Sequence, residues 1–234
     1  RSAGVSKSAA LRSTIELSGE EETMLSAQGR VVLVSGANRG IGLAVARALY
    51  EAGYTLSLGV RSLDSLDEVV GSWEPDRVLI HIYDAQDTDT HRDWVEATLA
   101  RFSRIDGLVN NAGIALDVDL EDDDDTDLDR LWSVNVKGPL SMIRKTLPSL
   151  RESGAGRVVN VASIAGKAVF GSGIGYSLSK FGLVALSHAT RHSGWADGVR
   201  CTALCPGYVS TDMTTQVETI ERDDMIAPDD RAAL

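Results

Sequence analysis

The fold of this chain is decided by the stretch Val31-Val32-Leu33-Val34-Ser35-Gly36-Ala37-Asn38-Arg39-Gly40-Ile41-Gly42. Its first four residues are apolar without alternating polar residues, which is typical of a strand buried on both faces. After the glycines, apolar residues recur at the spacing of an amphipathic helix. A helix that begins this way directs free backbone N–H groups and the positive end of its dipole at a phosphate. The stretch therefore predicts a strand, a nucleotide-binding turn and a helix.

The three glycines are spaced G-x-x-x-G-x-G, at Gly36, Gly40 and Gly42, rather than G-x-G-x-x-G. Glycine allows a tight turn, leaves room for a pyrophosphate against bare backbone and lets helix and strand approach closely. Many glycine-rich turns after strands hold no ligand, so further support must come from the rest of the chain.

The composition is that of an ordinary globular protein, with 234 residues of which 43% are hydrophobic and 24% charged. A net charge of -11 argues against nucleic acid as a partner, since phosphate backbones need a basic face. No apolar run approaches the ~20 residues of a membrane span, and no secretory signal is evident. We expect a cytoplasmic protein in which Cys201 and Cys205 are reduced, buried thiols.

No metal site is expected. Two cysteines are too few for a structural zinc site. The acidic run 121–125 lacks the glycine and terminal Glu of a calcium loop, and it fits a solvated loop before a helix. His188 and His192 are four residues apart, but no Glu of a zinc protease lies between them.

Residues 1–29 differ in composition from the rest, being rich in Ser, Glu and Ala without a sustained period. We expect them to be a flexible N-terminal extension or an expression remnant, with native translation starting near Met24. Residues 30–234 show no internal repeat and no linker, and they are predicted to form a single domain.

From Gly29 onward, predicted strands and helices alternate. Strands are predicted at 31–35, 55–60, 78–83, 107–110, 157–162 and 199–204, and helices at 40–52, 62–72, 88–102, 127–150 and 174–192. Such alternation is the signature of right-handed βαβ units. The predicted fold is α/β, a three-layer, Rossmann-type, doubly wound parallel sheet in one domain.

In such a sheet the ligand lies at the carboxyl ends of the strands. Arg61 follows the second strand, where an acid would select NAD by binding the ribose hydroxyls, and Arg39 lies in the glycine turn. Two guanidiniums suit a 2′-phosphate, so NADP(H) is the predicted cofactor, with NAD(H) as the alternative. Both arginines could instead be ordinary solvent-facing residues.

Two other strand ends carry suitable residues. Asp84 and Ala85 follow the third strand, and the Asp84 carboxylate is placed to reach the exocyclic amine of adenine. Asn111, Ala112 and Gly113 follow the fourth strand, where small residues let the chain pass close beneath a cofactor.

Ser163 follows the fifth strand, and Tyr176 and Lys180 lie four residues apart on the next helix. This spacing places both side chains on one face. A cation about 4 Å away at an effective dielectric near 20 contributes about 4 kcal/mol. That energy corresponds to roughly three pKa units, so we expect Lys180 to bring the pKa of the Tyr176 phenol towards neutrality.

These motifs occur together and in order, each after its expected element: Gly36, Gly40 and Gly42; Asn111-Ala112-Gly113; Asn135; Ser163; Tyr176 and Lys180; Pro206-Gly207. Together they resemble the short-chain dehydrogenase/reductase family over about residues 30–215. Ser35 stands where the family usually has Thr, which keeps the hydroxyl. The resemblance implies that residues 30–234 are a dinucleotide-binding catalytic domain. The family normally continues into a further helix and strand, so we expect either that this C-terminal piece is missing here or that the sheet edge is completed differently.

The resemblance implies roles for four residues. Tyr176 would be the general acid/base, Lys180 would lower its pKa and hold the nicotinamide ribose, and Ser163 would bind the substrate oxygen. Asn135 would anchor a water in a proton relay. Cofactor contacts would come from Ser35, Gly36, Asn38, Arg39, Gly40, Ile41, Gly42, Arg61, Asp84, Ala85, Asn111, Ala112, Gly113, Tyr176, Lys180, Pro206, Gly207, Val209 and Thr211.

The resemblance also implies a function. The chain would be an NADP(H)-dependent oxidoreductase that transfers a hydride between nicotinamide and a small-molecule carbonyl or secondary alcohol. Residues from about Tyr208 to Pro228 would form a substrate lid, and a homodimer or homotetramer would form through the long helices. The pocket residues suggest an apolar substrate site: Ala115, Ala168, Val169, Phe170 and Tyr208. The alternative is a dinucleotide-binding scaffold or sensor with little turnover; an epimerase or dehydratase of the related extended type fits the glycine spacing less well.

Overall fold

The computed structural model describes residues 25–66, 70–171, 173–215 and 220–230. In these residues the strands are β1 Val31–Ser35, β2 Thr55–Val60, β3 Val78–Ile82, β4 Gly107–Asn110, β5 Arg157–Val161 and β6 Arg200–Leu204. The α-helices are α1 Gly40–Glu51, α2 Thr88–Phe102, α3 Thr126–Trp132, α4 Gly138–Glu152 and α5 Ile174–Gly194. The strands and the helices α1, α2 and α5 follow the predicted bounds to within one or two residues.

The strands form one parallel sheet in the order β3-β2-β1-β4-β5-β6. β1 pairs with β2 on one side and with β4 on the other, so the chain reverses its direction across the sheet at β1. This is the strand order of a doubly wound Rossmann sheet, and the crevice at the carboxyl ends of β1 and β4 is where such sheets bind ligands. The predicted fold class is confirmed.

Two hydrophobic clusters cover the two faces of the sheet. One joins residues of the central strands to α2 and α4 through Trp94, Met142 and Leu150. The other packs α1, with Ala46 fully buried, against alternate residues of β1 and β2. All five residues of β1 are buried, as the continuous apolar run predicts.

Gly59 of β2 allows the Trp94 side chain of the first cluster to pack directly against the strand. A Cβ atom at this position would lie 2.6 Å from the outer ring of Trp94. The indole is fully buried and donates a hydrogen bond of 2.8 Å from Nε1 to the Ser57 hydroxyl. The ring is therefore fixed against the sheet by a close approach that a larger residue would prevent.

The predicted long helix over 127–150 is wrong as a single α-helix. A π-helical turn over Ser133–Lys137 separates α3 from α4. Pro139 has no N–H group, so it cannot supply the hydrogen bond that an α-helix would direct to the carbonyl of Asn135. Gly138 N–H bonds instead to Ser133 O, five residues back. The break places Asn135 inside the widened turn.

Three other expectations are corrected or stay open. The helix predicted over 62–72 begins as a short 3₁₀ turn, Leu63–Leu66, and residues 67–69 lie outside the described part. Both cysteines are free thiols and Cys201 is buried, but Cys205 is half-buried because it follows the end of β6. Residues 1–24, with Met24, lie outside the described residues, so the predicted extension stays a prediction.

None of the helices in the described residues is long and apolar enough to cross a membrane.

We predict that Gly59→Ala lowers the free energy of unfolding by about 1–3 kcal/mol, because the new Cβ must displace the Trp94 ring or the strand. Urea unfolding of the wild type and the variant measures this loss. In a Trp94→Phe background, which lacks the outer ring, the same substitution should cost less. Equal losses in both backgrounds would show that the contact with Trp94 is not the cause.

Candidate active site

The N-terminus of α1 is open to an anion. Arg39 occupies the N-cap position with extended backbone, and its side chain makes no capping hydrogen bond. The first turn contains no acidic residue. The free N–H groups and the helix dipole therefore face the glycine turn without a competing carboxylate from that turn. Gly36 and Gly40 adopt positive φ values of 65° and 52°, which glycine tolerates without strain.

The turn is held closed across the sheet by the side chain of Asn111. Its amide Nδ2 donates to Ser35 O at 3.0 Å and to Gly36 O at 3.1 Å. A Cβ on Gly42 would lie 2.2 Å from Gly36 O and 2.4 Å from this amide. Gly42 must therefore be glycine, because the first turn of α1 packs directly on the glycine turn and on Asn111.

Ser35 joins the same two strand ends through its hydroxyl. The oxygen accepts hydrogen bonds from the N–H groups of Asn111 at 3.0 Å and Ala112 at 3.1 Å. The hydroxyl also lies 3.3 Å from the carbonyl of Val109, to which it donates. Ser35, at the position where Thr was expected from the resemblance, thus uses its hydroxyl both to accept and to donate hydrogen bonds.

The Asp84-Ala85 segment after β3 is fixed by α2. The carbonyl of Asp84 accepts hydrogen bonds from the Thr90 hydroxyl at 3.2 Å and from His91 Nε2 at 2.7 Å. His91 is fully buried and its Nδ1 lies 2.9 Å from the Ser141 hydroxyl of α4. Burial lowers the pKa of His91, which favours the neutral imidazole that these contacts use. No pattern in the sequence predicts this role of His91.

The two predicted arginines differ in their surroundings. Both Arg39 and Arg61 are exposed at the strand-end surface. Arg39 Nη1 pairs with Asp212 Oδ2 at 3.2 Å, a contact between positions 173 residues apart. Gly36 N–H bonds to Gly59 O at 2.8 Å, so the glycine turn and the end of β2 that leads to Arg61 are neighbours.

Asn135 is buried within the π-helical turn and bonds to the chain on two sides. Its Oδ1 accepts from Ile114 N–H at 2.9 Å, and its Nδ2 donates to Ile114 O at 2.9 Å and to the Ser179 hydroxyl at 3.0 Å. A Cβ on Gly113 would lie 3.2 Å from Asn135 Oδ1 and 3.7 Å from Lys180 Nζ. Asn135, Gly113 and Lys180 therefore meet at one place.

Ser163 and Tyr176 also meet. Ser163 lies directly after β5 and its hydroxyl accepts from Ala165 N–H at 3.1 Å. Burial raises the pKa of the Tyr176 phenol, and a side-chain hydrogen bond with Ser163 opposes this rise. The predicted lowering of this pKa by Lys180 is therefore not what the structure shows, because loss of hydration outweighs the stabilisation of the phenolate.

Lys180 is buried, and its ammonium donates a hydrogen bond to a backbone carbonyl. Nζ donates to Val161 O at 2.9 Å and lies 5.5 Å from the centroid of the Tyr176 ring. Burial lowers the pKa of Lys180 to about 8, with a smaller opposing effect from Cys205. The lysine is thus still mainly protonated at neutral pH and lies next to the phenol. Among the described residues, no carboxylate forms an ion pair with it.

The segment after β6, residues 205–215, is called the post-β6 segment below. Pro206 O accepts from Ile164 N–H at 3.0 Å, which ties the segment to the turn after Ser163. Val209 is buried and pairs with Ile226, so the chain returns to the segment beyond residues 216–219, which lie outside the described part. Residues of the predicted lid thus lie beside the strand ends. The predicted apolar pocket residues Ala115, Ala168, Val169, Phe170 and Tyr208 are all exposed.

The fold and this site define a class. A Rossmann sheet with an anion-ready glycine turn at its switch point and a Ser, Tyr, Lys and Asn group beside it is the framework of a dinucleotide-dependent oxidoreductase. The profile of the short chain dehydrogenase family matches residues 30–222. The chain belongs to the short-chain dehydrogenase/reductase family, and a nicotinamide cofactor follows from that membership.

Individual relatives agree. Agropine synthesis reductase of Rhizobium rhizogenes is 43% identical over 210 residues, which cover 88% of this chain and 48% of that protein. The chain thus spans about half the length of this relative. A 3-ketoacyl-acyl-carrier-protein reductase of Brucella melitensis, complexed with NADH, superposes with a TM-score of 0.81 at 27% identity and covers 89% of each chain. An alcohol dehydrogenase of Thermococcus sibiricus, complexed with 5-hydroxy-NADP, gives 0.78 at 29% identity and 86% of each.

The burial of Lys180 predicts how the free energy of unfolding depends on pH. Its pKa in the folded state, about 8, is below the ordinary 10.5. Below pH 8 the lysine is protonated in both the folded and the unfolded protein, so the full cost of burying its charge applies. Between pH 8 and pH 10.5 the unfolded protein binds more protons than the folded one. The destabilising effect of the lysine therefore shrinks as pH rises. The free energy of unfolding of the wild type relative to Lys180→Met should therefore rise by about 2 kcal/mol from roughly pH 7 to roughly pH 9.5.

Urea unfolding of both proteins at the two pH values measures this difference, and Lys167→Met, at an exposed lysine, is the control. A difference that stays flat or falls would mean that Lys180 is hydrated in the folded state.

Proposed function

We propose that this chain is an NADP(H)-dependent oxidoreductase that transfers a hydride between nicotinamide and a carbonyl or secondary alcohol. The observation that carries the proposal is the placement of the Tyr176 side chain close to Ser163, with its ring centroid 5.5 Å from the buried ammonium of Lys180. All three side chains lie near the carboxyl end of β5, close to the switch point of the sheet. The relatives named as reductases support this activity.

In this proposal Tyr176 exchanges a proton with the substrate oxygen. A bound nicotinamide supplies or accepts the hydride. The raised pKa of the phenol keeps it protonated at neutral pH, so Tyr176 is ready to act as an acid when a carbonyl is reduced. The Ser163 hydroxyl binds the same oxygen and stabilises its developing charge. The Lys180 ammonium stabilises the phenolate that remains after proton transfer.

Asn135 is proposed to support proton transfer rather than to carry it out. Its side chain is fully engaged with Ile114 and Ser179, so it holds the segment after Gly113 against α5. Pro139 has no N–H to donate to the backbone carbonyl of Asn135, so this carbonyl is suited to bind a water molecule. That water would return a proton to Tyr176 by way of Lys180.

The cofactor is proposed to bind across the carboxyl ends of β1, β2 and β4. The open N-terminus of α1 suits the pyrophosphate, and the Asp84 carboxylate suits the adenine amine. Arg39 and Arg61 suit the 2′-phosphate of NADP(H). The full set of proposed cofactor contacts is Ser35, Gly36, Asn38, Arg39, Gly40, Ile41, Gly42, Arg61, Asp84, Ala85, Asn111, Ala112, Gly113, Tyr176, Lys180, Pro206, Gly207, Val209 and Thr211.

A scaffold or sensor that binds a dinucleotide with little turnover is the second candidate. The buried ammonium of Lys180 argues against it, because a binding role alone does not need a lysine whose burial is costly. A small-molecule substrate, a cytoplasmic location and a homodimer or homotetramer remain further parts of the proposal. Exposed aromatic residues on α3 and α5, Trp132 and Phe181, are available for subunit contacts.

Tyr176→Phe should lower kcat for carbonyl reduction about a thousandfold, because it removes the proton donor and keeps the ring. Oxidation of NADPH with a panel of ketones and aldehydes, followed by absorbance, measures the loss. Equilibrium binding of NADPH should stay within about threefold of the wild type, which separates catalysis from cofactor binding. A variant with normal turnover would favour another proton donor, and a wild type without turnover on any substrate would favour the scaffold.

We predict that the wild type binds NADPH more tightly than NADH. Arg61→Gln should weaken NADPH binding about tenfold and leave NADH binding unchanged, since a hydrogen bond to a charged group is lost. Isothermal titration with each cofactor measures both constants. Arg47→Gln, at an exposed arginine within α1, is the matched control. Tighter binding of NADH by the wild type would contradict the assigned cofactor.

A further inference from the structure

The glycine turn and the post-β6 segment touch at two adjacent points. At the first, a Cβ on Gly40 would lie 3.1 Å from Thr211 Cγ2, so the Thr211 side chain leaves little room beside the turn. At the second, Arg39 Nη1 pairs with Asp212 Oδ2 at 3.2 Å. These contacts join residues far apart in the chain, on the side of the site where the 2′-phosphate is proposed to bind.

Asp212 is held in place by its own segment. It begins the short 3₁₀ turn Asp212–Thr214, and the side chains of Thr211 and Thr214 cap this turn reciprocally. The Thr214 hydroxyl also donates to the carbonyl of buried Val209 at 2.7 Å. The carboxylate of Asp212 therefore reaches Arg39 from a turn that is held by side-chain hydrogen bonds.

The ion pair itself is easy to exchange. The side chains of Arg39 and Asp212 are 64% and 70% exposed. Exposed ion pairs contribute little to stability and rearrange at low cost. Among the described residues, Asp212 is the one carboxylate within ion-pair distance of Arg39. A dianionic phosphate that approaches this guanidinium must therefore compete with Asp212.

We propose that Asp212 is a specificity-determining residue that lowers the preference for NADP(H) over NAD(H). Its carboxylate competes with the 2′-phosphate for the guanidinium of Arg39. NAD(H), which lacks this phosphate, leaves the Arg39–Asp212 pair intact. NADP(H) draws Arg39 away and frees the post-β6 segment from this contact with the glycine turn. The inference rests on the proposed function, since it assigns Arg39 to the 2′-phosphate.

The test is the ratio of the dissociation constants of NADH and NADPH, measured by isothermal titration without substrate. Asp212→Asn should raise this ratio about two- to fivefold through tighter NADPH binding, within the range expected for loss of one exposed ion pair. In an Arg39→Gln background the same substitution should leave the ratio unchanged. Asp127→Asn removes an equal charge from an exposed position in the first turn of α3 and should also leave the ratio unchanged.

The outcomes separate this inference from the proposed function. An unchanged ratio in Asp212→Asn would overturn the competition even if the wild type prefers NADPH. An equal rise in the Arg39→Gln background would overturn the role of Arg39 as the shared partner. If the wild type prefers NADH, the assigned cofactor fails, yet a rise in the ratio that depends on Arg39 would still support the competition by Asp212.

Discussion

The amide of Asn111, which donates to the carbonyls of Ser35 and Gly36, is the contact on which the site depends. It joins the ends of β1 and β4, the two strands between which the sheet reverses its order. Gly42 packs against the same amide, so strand, turn and helix meet with no room for a Cβ. This contact fixes the direction in which α1 points its free N–H groups, and every cofactor assignment depends on that direction.

The chemistry of the site depends on how burial acts on opposite charges. Loss of hydration raises the pKa of the Tyr176 phenol and lowers that of the Lys180 ammonium, so both neutral forms are favoured. Backbone and hydroxyl partners limit these changes: Val161 O binds the ammonium, and Ser163 bonds with the phenol. The simple expectation of a phenol made acidic by its neighbour omitted the cost of removing that phenol from water.

Much of the fold was predictable because local rules determined it. The apolar run of β1 has the composition of a strand buried on both faces, and β1, β2 and β4 lie where predicted. The break in the long helix was harder to predict. Pro139 was visible in the sequence, but proline in the first turn of a helix is common, and only the packing of α4 shows that the preceding turn widens.

The sequence by itself determined which residues stand at the strand ends, because strand and helix periodicity and the spacing of glycines act over a few residues. Gly36, Asn111 and Ser163 were placed after their strands in this way, and Tyr176 and Lys180 were placed on one face of a helix. The tertiary structure alone decided which side chains around the site bond to each other. The pairs are Asn135 with Ser179, His91 with Asp84, and Arg39 with Asp212. These pairs join different elements, up to 173 positions apart, and their contacts depend on strand order and helix packing, which local patterns do not specify.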